Sequence, residues 1–271
     1  MKAWIISDFH SSALDLLHRR QLIVPNADIC ICAGDIAGSI ERAIDFLHAE
    51  IAPHMPVVAV LGNHDFYGTS IDRALEYALK WTAGTNVHIL ENETFERGDL
   101  RIVGATLWTD FEIEAHDFGN LPIQARRDLA VRECMRYLLD FRLIHRSDTR
   151  AEDESGLITP NEMISRHRES RAYIARELAM PFNGTTMVLT HHAPSVRSLD
   201  PRFDRHISRR LSLRIYLRRL QRAGHRSGFT DTFIASTITL KVKRGFCAIQ
   251  GDTVMRQAAG SGQVSLSKQP R

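Results

Sequence analysis

Four short apolar runs in this chain stop abruptly on residues that carry ligand chemistry, and that repetition narrows the possible folds more than any composition figure. Residues 3–7 stop at Asp8-Phe9-His10, 27–33 at Gly34-Asp35, 56–61 at Gly62-Asn63-His64-Asp65, and 185–190 at His191-His192. A β-branched apolar run bounded by Gly, Asn and Asp reads as a buried strand ending in a turn. Helical spacing follows the first three runs: Leu14, Leu16 and Leu17; then Ile40, Ala43, Ile44 and Leu47 within about 39–50; then about 70–83. Three strand-loop-helix units in succession predict an α/β layer fold with parallel strands. Ligands of such sheets sit outside the carboxyl ends of the strands, and the polar loops fall at that edge.

The remainder extends the pattern. Residues 87–90 and 100–107 read as strands around a turn at 96–99, 121–145 as mostly helical, and 146–156 as a polar segment. Thr159-Pro160-Asn161-Glu162 is a capping box with Pro at the first helical position, opening a helix to about Met180. There are no internal repeats. A chain of 271 residues suits one large domain better than two small ones. Asp8 comes too early for a signal peptide, and no apolar stretch approaches the roughly 18 residues of a membrane span, so a cytoplasmic protein without a membrane partner is expected. Cys30, Cys32, Cys134 and Cys247 form no disulfide framework; Cys30 and Cys32 alternate along a strand and belong on one buried face.

The loops supply carboxylates, imidazoles and an amide oxygen from several strand ends, which is what two cations bound side by side require. Asp8 and His10, one residue apart, can face one metal; Asp35 can bridge; Asn63 offers an amide oxygen and His191 an imidazole. Mixed nitrogen and oxygen donors suit two divalent ions of manganese, iron, zinc or nickel better than calcium or magnesium. Each piece alone is an ordinary turn or a satisfied histidine; the ordered set, each member ending a strand, reverses that reading.

On these residues the sequence resembles the calcineurin-like metallophosphoesterases. Asp8-Phe9-His10, Gly34-Asp35, Gly62-Asn63-His64-Asp65 and Thr190-His191-His192-Ala193-Pro194 match that family's Asp-x-His, Gly-Asp, Gly-Asn-His-Glu/Asp and strand-end His blocks in order. The segment Gly104-Ala105-Thr106-Leu107-Trp108-Thr109-Asp110-Phe111 is similar to a small bacterial subgroup. The resemblance covers about residues 1–203 and implies a two-sheet α/β sandwich flanked by helices. It implies a first metal on Asp8, His10 and Asp35 and a second on Asp35, Asn63 and His191. It also implies His64 as proton donor or transition-state stabiliser with Asp65 holding its ring. His192 is expected to support the site from behind or to stand outside it, because adjacent residues on an extended strand point to opposite faces. The reaction implied is hydrolysis of a phosphate mono- or diester by metal-activated hydroxide. Asp110, Asp140, Arg142, His167 and Arg171 are secondary candidates for the substrate side and are not counted among the site residues; for His167 and Arg171, four apart on one helix, a solvated face is the better account.

The family's last block, Gly-His-x-His, is missing; the nearest string is Gly224-His225-Arg226-Ser227. Charge changes there too. Residues 1–204 carry 21 Lys and Arg against 30 Asp and Glu, a net of −9, whereas 205–271 carry 14 against 2, a net of +12. One reading is a basic nucleic-acid-binding tail. Back-translation gives another. Reading the third base of each codon with the first two of the next, Phe229 into Thr230 gives pyrimidine-A-C, which is His or Tyr; Thr230 into Asp231 allows Gly; Asp231 into Thr232 again gives His or Tyr. The run permits Trp-Val-His-Gly-His-Val-His-Ser-Phe-Asp-Tyr, the missing block, and residues 244–253 permit Arg-Val-Leu-Cys-Asn-Pro-Arg-Gly-Tyr. The expectation is a metallophosphoesterase domain over 1–204 and an out-of-frame, poorly ordered segment over 205–271; the leading function is metal-dependent hydrolysis of a phosphate ester, and the alternatives are an impaired remnant that has lost the missing block and the strands after it, and nucleic-acid binding through the basic segment. Resequencing the gene is expected to reveal a frame change near residues 203–212; an unbroken frame, confirmed by the intact mass of the native protein, would overturn it.

Overall fold

The computed structural model describes residues 1–11, 22–112, 120–147 and 156–194, and the backbone of 237–242, 245–250 and 262–265. The expected helix around Leu14 to Leu17, Gly224-His225-Arg226-Ser227 and the Arg-rich stretch 206–226 lie outside the described residues.

The four apolar runs are strands: β1 (Lys2–Ile6), β2 (Ile29–Cys32), β3 (Val57–Ala59) and, later, β7 (Thr185–Thr190). Between them come α1 (Ile40–Phe46), extended by a wider turn over Leu47–Ile51, then α2 (Ile71–Thr82), β4 (Val87–Ile89), β5 (Glu93–Arg97) and β6 (Leu100–Ala105). α3 (Ile123–Tyr137), α4 (Asp140–Leu143) and α5 (Pro160–Ala179) precede β7, so the helical stretch expected at 121–145 is broken in two. α5 starts where its cap dictates: the Thr159 hydroxyl accepts from the Glu162 N–H at 3.2 Å, with Pro160 in the first turn. β5 was not expected. Its sequence, Glu-Thr-Phe-Glu-Arg, is mostly polar and little buried, because it is an edge strand pairing only with β6.

Among the described residues, two five-stranded sheets result. With β8 (Thr237–Val242), β9 (Gly245–Gln250) and β10 (Gly262–Ser265) included, the first runs β10-β1-β2-β3-β4, with β1 to β4 parallel as the strand-loop-helix units predict; the second runs β5-β6-β7-β8-β9, with β6 and β7 parallel and its other pairs antiparallel. β1, β2 and β3 are buried on both faces. Ala3, Ile5, Ile29, Ile31, Val58 and Val60 meet Leu100, Ile102, Met187 and Leu189 of the second sheet. The alternate residues Trp4, Ile6, Cys30, Cys32, Val57 and Ala59 meet Ile40, Ala43, Ile44, Leu47, Ile71, Ala74 and Ala78 of the helices. Period-2 alternation therefore sorts each strand between two cores, and Cys30 and Cys32 share the helix-facing one as expected.

The segment 205–271, expected to lack further strands, contributes β8 (Thr237–Val242) beside β7, β9 (Gly245–Gln250) beside β8, and β10 (Gly262–Ser265) antiparallel to β1. Such ladders are built from backbone N–H and C=O groups, which any sequence carries.

Candidate metal centre

The polar loops meet because the β1–β2 pairing continues past the strand ends. The Asp8 N–H donates to the Gly34 carbonyl at 3.0 Å, His10 to Asp35 at 2.9 Å and Ser11 to Ile36 at 2.8 Å. The backbone keeps this alignment through left-handed φ values at Asp8 (50°), His10 (46°) and Asp35 (53°). Non-glycine residues hold that conformation at a cost of about 1–3 kcal/mol each, and such strain gathers at functional sites. Two glycines let the loops close. Gly34 has φ +90°, and a Cβ there would lie 2.5 Å from the Gly62 nitrogen; a Cβ on Gly62 would lie 2.1 Å from Asp35 Oδ1.

Asp35 sits at the convergence, 3% exposed. Its Oδ2 is 3.6 Å from His10 Nε2 and 4.0 Å from His64 Nε2, while its Oδ1 faces His191 Nε2 at 3.5 Å and accepts the His64 backbone N–H at 3.0 Å. Burial, reinforced by the neighbouring Asp8 charge, pushes the Asp35 carboxyl well above the usual range. Burial likewise lowers His10 and His191, and takes His64 down to about 3. Asp8 is buried, accepts from the Ser7 hydroxyl, and lies close enough for its charge to act on His10, Asp35 and His191.

Two observations test whether these residues fit metal ions. His10 Nε2 and His64 Nε2 are buried without a hydrogen-bond partner, and with Asp35 they present three ligand atoms within 4.8 Å of one another. On the other side, His191 Nδ1 lies 2.8 Å from the Ala33 carbonyl, which can only accept, so the neutral ring carries its proton there. The Nε2 lone pair then faces Asn63 Oδ1 at 3.0 Å and Asp35 Oδ1 at 3.5 Å. Three electron-pair donors converging in a buried place call for a cation between them. The donor set fits.

Asp8, His10, Asp35, Asn63, His64 and His191 are thus brought to one edge. Asp65 takes a different place from the one expected: its fully buried carboxylate accepts the N–H groups of Gly62 (2.9 Å), Ala37 (2.9 Å) and Ile36 (3.2 Å), tying the third loop to the second. Burial pushes this carboxyl up to about 7 even against the backbone N–H groups that favour its charged form. What bears on the His64 ring is aromatic contact, edge-on to His10 at 4.6 Å and tilted over Tyr67 at 4.5 Å between centroids. His192 is buried against Trp108 with Nδ1 at the Thr106 carbonyl. His167 is no solvated-face residue: its Nδ1 meets the Leu107 carbonyl at 2.9 Å and its Nε2 lies 3.6 Å from Asp110, bracing a loop in which Leu107, Trp108 and Phe111 have positive φ. Arg171 is exposed, and Arg142 donates to the Arg136 carbonyl. Asp140 lies behind Asn63, bonded to it and to Tyr67. Tyr67 was not singled out in the sequence; its position four residues beyond Asn63, on the same short turn, was the available signal.

The sequence model of the calcineurin-like phosphoesterase family matches residues 1–225. The chain belongs to that family. The match runs beyond the 1–203 over which the resemblance was expected and ends at Gly224-His225. Among solved structures, the phosphoesterase is similar to the phosphopantetheinyl hydrolase of Mycobacterium tuberculosis, at 20% identity and a TM-score of 0.52 over 75% of this chain and 71% of that one. At that identity the likeness speaks to the fold. No curated protein matches the chain. Among the described residues of the phosphoesterase, no helix is long and apolar enough to cross a membrane.

Two outcomes follow for the metal-free protein. Asp65→Ala, which strands three buried N–H groups, is expected to cost at least about 3 kcal/mol in urea unfolding; an unchanged midpoint would return Asp65 to a role on the His64 ring alone. His64 stays unprotonated in the folded protein down to about 3, whereas the unfolded chain takes up that proton near 6.5. Its contribution to stability is therefore complete above about 6.5 and lost as the pH falls toward 3. The stability difference between the unmodified chain and His64→Gln should shrink on acidification through that window, and a pH-independent difference would contradict the buried, neutral ring.

Proposed function

We propose that this phosphoesterase hydrolyses a phosphate mono- or diester at a two-metal centre built on Asp35. The observation that carries this reading is the Asp35 carboxylate, with one oxygen toward His10 and His64 and the other toward His191. Asp8 and His10 would hold one ion with Asp35; Asn63 and His191 would hold the other. Divalent manganese, iron, zinc or nickel held there would clamp the phosphoryl group and lower the pKa of an attacking water.

The chain does the rest. Burial keeps the imidazoles of His10 and His191 neutral, so their lone pairs are available without prior loss of a proton. His64 is neutral as well, and its Nε2, unpartnered beside Asp35, is placed to stabilise charge on a phosphate oxygen or to pass a proton to the leaving group. The rings of His10 and Tyr67 limit its motion. Holding the ester against these groups supplies the alignment that in-line attack needs. Within the sequence between 111 and 156, α4 packs on the Asn63 turn and would take part in selecting among substrates.

A second reading, an impaired remnant, is favoured by one observation: the sequence as written lacks Gly-His-x-His, from which the family would draw one more ligand for each metal. Metal content separates the two. Near-stoichiometric pairs of manganese in the chain as written support a working enzyme, and little or no metal supports the remnant. A frame-restored version is expected to hydrolyse bis-p-nitrophenyl or p-nitrophenyl phosphate with manganese. Asp35→Asn should remove the activity and His64→Ala should lower kcat by about 10²- to 10⁴-fold. Full activity in excess chelator would contradict the proposal.

A further inference from the structure

An asparagine that offers its oxygen to a cation has a weakness that a carboxylate lacks. Its head carries a carbonyl at one end and an NH2 at the other, and a half-turn about the last torsion would aim two N–H donors at the metal. Something has to forbid that turn. In this structure Asn63 Nδ2 donates to Asp140 Oδ1 at 2.8 Å, and Asp140 is only 2% exposed. An ionised carboxylate accepts and never donates, so the end of Asn63 facing Asp140 is the NH2, and the carbonyl is left 3.0 Å from His191 Nε2. Tyr67 completes a triangle: its hydroxyl donates to the same Asp140 oxygen at 3.0 Å and accepts from Asn63 Nδ2 at 3.3 Å. The Tyr67 ring also lies against the His64 ring.

The acceptor is itself held firmly. Asp140 opens α4, and the chain after it is fastened to the turn after Asn63: the Gly68 N–H donates to the Leu143 carbonyl at 2.8 Å and the His145 N–H to Thr69 at 2.9 Å. Phe141 and Ile144 sit in the helix-side core. Burying a carboxylate at this spot is unfavourable, and burial accordingly pushes Asp140 above the usual range despite its bonds to Asn63 and Tyr67. An apolar side chain could fill the space without that penalty; what the carboxylate supplies in return is an acceptor for the Asn63 NH2 and the Tyr67 hydroxyl.

We infer that Asp140 and Tyr67 are positioning residues that lock the Asn63 carboxamide with its carbonyl toward the metal centre. The inference rests on the reading of Asn63 as a metal ligand, and it makes α4 part of the centre's support.

The test uses the whole chain and the variants Asp140→Leu, Asp140→Asn and Tyr67→Phe, with manganese titrated by calorimetry. In the metal-free state, the Asn63 side-chain NH2 signals are read by 15N NMR and assigned with Asn63→Ala. Asp140→Leu is expected to weaken manganese binding by about 10- to 100-fold and to lose the exchange protection of the Asn63 NH2. Asp140→Asn keeps an acceptor and should recover most of both. Tyr67→Phe, at a half-buried position that should fold, should raise NH2 exchange and weaken binding to a smaller extent; if Asp140→Leu fails to unfold cooperatively in chelator, Tyr67→Phe decides. Unchanged affinity and unchanged NH2 protection in the folded variants, with binding still lost in Asp35→Asn, would overturn the inference and leave the metal centre standing. No manganese binding by the unmodified chain would remove the metal reading. The NH2 signals would then decide the orientation alone, supporting it if protection depends on Asp140 and Tyr67 and refuting it if not.

Discussion

The Asp35 carboxylate, nearly sealed from water with its two oxygens turned toward different imidazoles, sets the terms for the structure around it. An isolated charge in such a place is expensive, and the neighbouring Asp8 makes it more so. Much of the local architecture brings partners within reach. The β1–β2 pairing is prolonged beyond the strands, three non-glycine residues take left-handed conformations, and Gly62 approaches until no Cβ would fit beside Asp35. Asp65 then staples the third loop to the second through their backbones. These features cost folding free energy, and they have a common outcome: lone pairs from His10, His64, Asn63 and His191 gathered around one carboxylate. A divalent ion on each side would turn that repulsive arrangement into a stable one.

The two sheets explain why the arrangement can be rigid. β1, β2 and β3 are packed on both faces, between the second sheet and the helices, so their ends are fixed by two cores. β7 belongs to the other sheet, yet its end delivers His191 to the same edge, where the ring meets the Ala33 carbonyl at the end of β2. The side chains gathered around Asp35 therefore come from both sheets. The family match through residue 225 agrees with this plan, and β8, β9 and β10 extend both sheets.

Much of this was legible in the sequence. Strands buried on both faces read as continuous β-branched runs, and the polar residues that end them are conspicuous because a turn alone does not need Asp, His, Asn and His in that order. What stayed hidden depended on contacts distant in the chain. β5 is polar because it is an edge strand, so periodicity did not reveal it. The Asp65 staple depends on backbone N–H groups that no side-chain pattern reports. Asp140 and Asn63 are 77 residues apart, and only the packing of α4 on the Asn63 turn brings them together.

On the proposed reading, Asp35 stands between two metal ions. Anomalous diffraction at the manganese edge, from crystals grown with excess manganese, tests it most directly. Two peaks are predicted, one beside each Asp35 oxygen, the first also touching His10 and the second also touching Asn63 and His191. A well-ordered Asp35 with one peak or none in saturating manganese would contradict it.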